Sequence, residues 1–243
     1  METLLSAKSI PPRERLIVAL DVASGDIAKK LVTELGDSVS FYKVGLEMLM
    51  SGDFFDLVKW LREHNKLVFA DIKFFDVPET VKKAVAQMTK LGVTFATAHG
   101  NDDILRAVVE VKGDLKVLAV TVLTSLDRND MTDLGFSCDI EALVLSRAKR
   151  ALALGCDGVI SSGLEVSKLR QSVDKKLIIV TPGIRAFSNF ASKDDQKRTV
   201  TAEDAFSHGA DYIVVGRPIT KAEQPRAQAE EIQESIAKIF GTK

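Results

Sequence analysis

Residues 67–80 read Leu67-Val68-Phe69-Ala70-Asp71-Ile72-Lys73-Phe74-Phe75-Asp76-Val77-Pro78-Glu79-Thr80. The stretch opens on a strand-like apolar run, Leu67–Ala70. A helical pattern over Glu79–Leu91 follows, Gly92 stops it, and a second strand-like run covers Thr94–Ala98. Residues two apart on a strand share a face, so Asp71 and Lys73 project together from its C-terminal end. Asp76 falls beyond the strand. It is either a helix N-cap or, because Pro prefers the first helical position, a residue outside a cap formed by Val77. The Asp–Lys pair reads as a surface ion pair of little worth, or as buried charge that pairs or does chemistry.

The same alternation recurs along the chain. Strand-like runs lie at Leu16–Leu20, Ser40–Val44, Leu67–Ala70, Thr94–Ala98, Lys116–Val122, Gly158–Ser161, Leu177–Thr181 and Tyr212–Val215. Helical segments separate them: Ile27–Leu35, Phe54–His64, Glu79–Leu91, Asp103–Lys112, Ile140–Leu154, Leu164–Ser172 and Ala202–His208, with Arg226–Phe240 last. Ser51, Asn101 and the Thr201/Asp204 spacing mark helix starts. Gly36, Gly92, Gly155 and Gly209 mark stops. Eight strand–helix units in 243 residues predict a single-domain (β/α)₈ barrel over residues 1–243, with residues 1–15 as an N-terminal extension. An open doubly wound sheet is the competitor, but no G-x-G-x-x-G turn follows the first strand. Thr124–Asp139 and Gly183–Val200 read as long loops, the usual sites of lids and binding loops.

Composition narrows the function. Lys and Arg total 33 against 34 Asp and Glu, a net charge of −1, so no basic stripe or acidic tail points to nucleic acid or a membrane surface. The two cysteines, Cys138 and Cys156, form no metal-ligand or disulfide pattern, and Cys156 reads as a small hydrophobe. Residues 1–15 lack the apolar core of an export signal, and no apolar stretch reaches transmembrane length. A cytoplasmic protein is expected.

Barrel active sites form at the C-terminal strand ends. There the chain places Asp21, Lys43, Asp71 and Lys73, then His99, Thr124 and Ser125, then Arg185 after Pro182-Gly183-Ile184, and finally Gly216 and Arg217. A scatter of surface charges would occupy both rims, so this density predicts a catalytic rim. His99 reads as a structural histidine, and Asp21 has the alternative of capping the next helix. The last two strand ends suit a phosphate: Gly216 admits backbone N–H groups close to an anion, Arg217 offers a planar fork of donors, and Arg185 and Gln196 stand nearby.

Together these residues resemble the orotidine 5′-monophosphate decarboxylase family. The resemblance runs from Leu16 to about Pro218. It rests on Asp71-x-Lys73-x-x-Asp76-x-Pro78-x-Thr80, Lys43-Val44-Gly45, Leu123-Thr124-Ser125, Pro182-Gly183-Ile184-Arg185 and Gly216-Arg217-Pro218, in that family's order along the barrel. Ala186 departs from the Pro of many members. The resemblance implies decarboxylation of orotidylate to uridylate in de novo pyrimidine synthesis, with no cofactor and no metal. It implies an array of Lys43, Asp71, Lys73 and Asp76, with Lys73 as the proton donor to C6 and Asp71 near the substrate carboxylate. Asp21 and Thr80 would bind ribose hydroxyls, and Thr124 and Ser125 the base. Arg185, Gln196, Gly216 and Arg217 would hold the phosphate. It also implies a homodimer with shared active sites, into which Asp76 and Thr80 cross from the partner.

The residue chemistry fits that implication. Loss of carbon dioxide leaves negative charge on a ring carbon, and a fixed ammonium both stabilises it and supplies a proton. Magnesium-dependent sugar-phosphate enzymes share the Asp-x-Lys-x-x-Asp motif but have a Glu metal ligand at the place of Lys43, where this chain has a cation that repels a divalent ion. A non-catalytic phosphate-binding barrel would explain Gly216 and Arg217 but not the Lys–Asp array.

Overall fold

Alternating inward and outward apolar residues build the strands. The computed structural model describes residues 4–137, 139–185 and 199–241. Its strands in chain order are β1 (Leu16–Ala19), β2 (Phe41–Gly45), β3 (Leu67–Phe74), β4 (Phe95–His99), β5 (Lys116–Val120), β6 (Gly158–Ile160), β7 (Ile178–Thr181), β8 (Ile184–Arg185), β9 (Val200–Thr201) and β10 (Tyr212–Val215). Eight of them close into a barrel in the order β1-β10-β7-β6-β5-β4-β3-β2. Every pairing is parallel, with helices in the crossovers. This is the (β/α)₈ architecture expected from the sequence.

Both strand faces are buried. Outward residues such as Val18, Tyr42, Val44, Val68 and Ala96 pack under the helices. Inward residues form a second, smaller cluster that includes Ile17, Phe41, Phe69, Phe95, Leu118, Ile178 and Tyr212. Phe95 packs against Phe41 and Tyr212, with ring centroids 5.1 Å apart in each pair. This aromatic layer fills the barrel beneath its C-terminal rim. Following each inward face upward reaches the polar residues: Ile17, Ala19, then Asp21; Phe41, then Lys43; Phe69, then Asp71; Tyr212, Val214, then Gly216.

Several sequence-based expectations change in detail. β3 runs to Phe74, so Asp71 and Lys73 lie within it rather than after it. The reason is an irregularity against β4: pairing passes from Ala70↔Ala96 to Phe74↔Ala98, so β3 advances four residues while β4 advances two. The Thr124–Asp139 stretch holds a short helix, Arg128–Asp133, started by an Asp127/Asp130 capping box. At the other long stretch, β8 and β9 form a small parallel ladder, Ile184↔Val200 and Arg185↔Thr201. Residues 186–198, with Gln196 and Ala186, lie outside the described residues, as does Cys138. The helix after β3 begins with Pro78 at its first position and Val77 as its cap, which leaves Asp76 outside it. Thr201 caps the short helix Ala202–Ser207 that precedes β10: its Oγ accepts from Asp204 N at 3.0 Å. Gly92 ends its helical segment at φ +65°, where a Cβ would be strained.

The residues before β1 are built into the base of the barrel. Lys8 Nζ lies 3.1 Å from an Asp211 carboxylate oxygen at the start of β10, and Arg15 donates to the Asp211 carbonyl at 3.1 Å. The same carboxylate receives Arg170 and the Ile179 N–H. Asp211 is fully buried, and its charge is offset by these donors. Arg15 also stacks over Phe240 of the last helix, 3.7 Å from the ring centroid. Burial pushes the Cys156 thiol up to about 12, aided by the neighbouring Asp157 charge, so it packs as an inert small hydrophobe. Among the described residues no helix is long and apolar enough to cross a membrane.

Candidate active site

A cavity of about 460 Å³ opens at the C-terminal end of the barrel. One wall carries charge. Lys43 Nζ donates to Asp21 Oδ1 at 2.9 Å and lies 3.5 Å from Asp71 Oδ2. Lys73 Nζ meets the same Asp71 oxygen at 2.9 Å. The four side chains therefore form a row of alternating sign, Asp21–Lys43–Asp71–Lys73. Their side-chain exposures are graded, 55%, 12%, 11% and 34% in that order, so the centre of the row is dry and both ends are wet.

The electrostatics reinforce full ionisation of the centre. Burial by itself would lower Lys43, but Asp71 and then Asp21 more than offset it, and its pKa is raised. Burial by itself would raise Asp71, but Lys43 and then Lys73 outweigh it, and its pKa is lowered. The two shifts agree in favouring the charged pair. Lys43 and Asp71 therefore keep their charges near neutral pH.

The backbone at Lys73 is unusual. Its φ is +53°, in the left-handed region that non-glycine residues seldom occupy. Such residues cost about 1–3 kcal/mol and persist where the surroundings hold them. Here Thr97 of β4 holds it: Lys73 N donates to Thr97 Oγ1 at 2.9 Å, and the Thr97 hydroxyl donates to Asp71 Oδ1 at 2.9 Å. Thr97 is a site-building residue the sequence analysis did not single out. Its signal was available, since Phe95, Thr97 and His99 share one strand face.

Another part of the cavity wall, reached from the ends of β7 and β10, holds Arg185, Gly216 and Arg217, with Pro182 and Gly183. Thr220 and Lys221, also absent from the sequence reading, line the cavity as well. Thr124 lines the cavity, and apolar residues such as Phe69, Val120, Ile160 and Val214 form its floor. Asp21, Lys43, Asp71, Lys73, Thr124, Arg185, Gly216 and Arg217 are thus gathered round one cavity. Ser125, Asp76 and Thr80 are exposed and do not line it within this chain. Asp76 Oδ1 accepts from Val77 N at 2.6 Å, and its neighbours Phe75 and Val77 are 65% and 62% exposed. His99 stays outside the lining; its ring packs on Phe75 with centroids 4.5 Å apart, and burial, then Arg147 and Lys73, lowers its pKa.

A lysine–carboxylate row with a dry centre, sharing its cavity with a cationic subsite, suits proton delivery to a carbon of an anionic substrate. Residues 14–232 match the model of the orotidine 5′-phosphate decarboxylase / HUMPS family. The chain belongs to this family. Among similar members, the orotidine 5′-phosphate decarboxylase of Methylococcus capsulatus is 59% identical over 240 residues, 99% of each chain. That of Nitrobacter winogradskyi is 48% identical over 227 residues, 93% of each chain. The crystal structure of orotidine 5′-phosphate decarboxylase from Lactobacillus acidophilus superposes with a TM-score of 0.80 at 34% identity, covering 94% of this chain and 100% of that one. The resemblance read from the strand-end motifs is therefore a family membership, and the barrel is the family's fold.

Proposed function

We propose that this protein decarboxylates orotidine 5′-phosphate to uridine 5′-phosphate, a carboxy-lyase step of pyrimidine biosynthesis. The observation that carries this reading is the Asp21–Lys43–Asp71–Lys73 row sharing one cavity with Arg185, Gly216 and Arg217. In the reaction the bond from C6 to the carboxylate breaks and its electron pair stays on C6. The Lys73 ammonium stabilises that pair and gives C6 a proton, releasing carbon dioxide and uridylate. Lys73 then regains a proton from water. Asp71, beside the substrate carboxylate, anchors the Lys73 ammonium at 2.9 Å, and Lys43 holds Asp71 from its other neighbour position in the row. Asp21 takes a ribose hydroxyl, Thr124 and Ser125 the base, and Arg185, Gln196, Gly216 and Arg217 the phosphate. Binding energy from the phosphate, remote from C6, serves the chemical step.

The active form in this reading is a cytoplasmic homodimer. Asp76 and Thr80 reach the partner's cavity, which accounts for their exposure here beside the apolar Phe75 and Val77. Orotidylate is a charged nucleotide that does not cross membranes unaided, which suits a cytoplasmic location. Titration with uridylate followed by an orotidylate turnover assay tests the activity. Binding without turnover would leave only a ligand-binding barrel.

Arg217→Ala is expected to raise KM for orotidylate about 10- to 100-fold, since each charge-assisted hydrogen bond is worth about 1.5–3 kcal/mol. Unphosphorylated orotidine should be almost indifferent to the change. Equal losses for nucleotide and nucleoside would remove Arg217 from the phosphate site. The magnesium-dependent sugar-phosphate reading is opposed by Lys43, whose ammonium lies 3.5 Å from Asp71 and would repel a divalent ion there. Excess EDTA is therefore expected to leave turnover unchanged. Inhibition reversed by magnesium would favour the sugar-phosphate reading.

A further inference from the structure

The hydroxyl of Thr97 is fully buried and stands at the one place where the β3–β4 ladder loses register. Between the Ala70↔Ala96 and Phe74↔Ala98 pairs, the Lys73 N–H turns to a side chain, and Thr97 Oγ1 is its acceptor at 2.9 Å. A hydroxyl has one hydrogen to give, and Thr97 gives it to Asp71 Oδ1 at 2.9 Å. Asp71 Oδ2 is thereby left for Lys73 at 2.9 Å and Lys43 at 3.5 Å. One side chain thus ties down both ends of the Asp71–Lys73 pair: the carboxylate through one oxygen, and the lysine through the backbone of its left-handed residue.

We propose that Thr97 is a positioning residue for the decarboxylation, setting the rotation of the Asp71 carboxylate and the backbone of Lys73 so that the ammonium stays aimed at the substrate carbon. The inference rests on the functional reading above. Thr97 itself is fully buried and does not line the cavity. Its effect is transmitted through Asp71 and Lys73 alone.

Thr97→Val keeps the shape and removes the hydroxyl. It leaves a buried carboxylate oxygen and a strained N–H without their partner, so kcat should fall about 10- to 100-fold. KM for orotidylate and the affinity for uridylate should change less than about threefold, because uniform binding is untouched. Asp71 also loses a hydrogen bond that helps hold its pKa down, after the larger influences of burial, Lys43 and Lys73. The acid limb of the kcat profile should move to higher pH. Thr97→Ser should restore kcat to within about threefold of the wild type. Should the Val variant fail to fold, Thr97→Cys replaces it: a thiol donates weakly, and kcat should lie clearly below that of the Ser variant. A folded Val variant, or in its place a Cys variant, that turns over as fast as Ser with an unmoved acid limb overturns the role. Absence of orotidylate turnover in the wild type overturns the functional reading, and this inference with it. Turnover in the wild type with no loss in the variants overturns the inference alone.

Discussion

Lys73→Ala is expected to abolish orotidylate turnover while leaving the barrel folded. Loss of a general acid alone costs roughly 10²–10⁴-fold, and loss of the fixed positive charge at the developing carbanion adds to it. Two features make the loss hard to compensate. Lys43 is the other cation of the row, but it is held between Asp21 and Asp71 and is only 12% exposed, so it does not swing to C6. Water entering the space would be a far weaker acid at neutral pH. The fold should survive because Lys73 contributes a partly exposed side chain at the rim and no core packing. Ala tolerates the φ of +53° at a cost of about 1–2 kcal/mol, and the Thr97 bond to its N–H remains. Stopped-time turnover assays and a thermal melt check both halves. A folded variant with more than a few per cent of wild-type kcat would show that Lys73 is not the proton donor.

Mixing two inactive variants should restore activity. Asp76 is exposed, turned onto its own Val77 N–H and outside the cavity lining, so in this chain it adds nothing to the charged row. If the partner subunit's cavity is where it acts, each site of a two-fold dimer combines Lys73 of one chain with Asp76 of the other. Lys73→Ala and Asp76→Ala should each be nearly inactive. Refolded together in equal amounts, about half of the dimers are mixed under random pairing. In a mixed dimer one site carries both lesions and the other carries neither, so about a quarter of all sites should be intact. If Asp76 worked within its own chain, every site would keep one lesion and mixing would restore nothing. Mixed dimers seen by native mass spectrometry without any recovery of turnover would refute the shared site.

Much of this molecule is written in local pattern. The strand runs are apolar at successive positions because both faces of a parallel barrel strand are buried, and glycine stops with proline starts punctuate the helices. Period 2 then carries each inward face from Ile17 to Asp21, from Phe41 to Lys43 and from Phe69 to Asp71. The charged rim could therefore be read from spacing alone. The Asp127/Asp130 capping box was also legible, though the stretch around it reads as loop until the box is noticed.

Other features belong to the tertiary structure. The slip of β3 against β4, the left-handed Lys73 and the bridge from Thr97 arise from strand register, in which residues 24 and 26 positions apart meet. No local propensity marks Lys73 for a positive φ; the surrounding barrel imposes it, and the hydrogen bond from a neighbouring strand sustains it. The base of the barrel is similar: residues 4–15 read as an extension, yet Lys8 and Arg15 converge on Asp211 from about 200 positions away. Local sequence determines which residues form strands and which face inward, because those depend on the pleat of one strand. Which oxygen of Asp71 faces which lysine depends on how neighbouring strands slide past each other, and only closure of the whole barrel sets that.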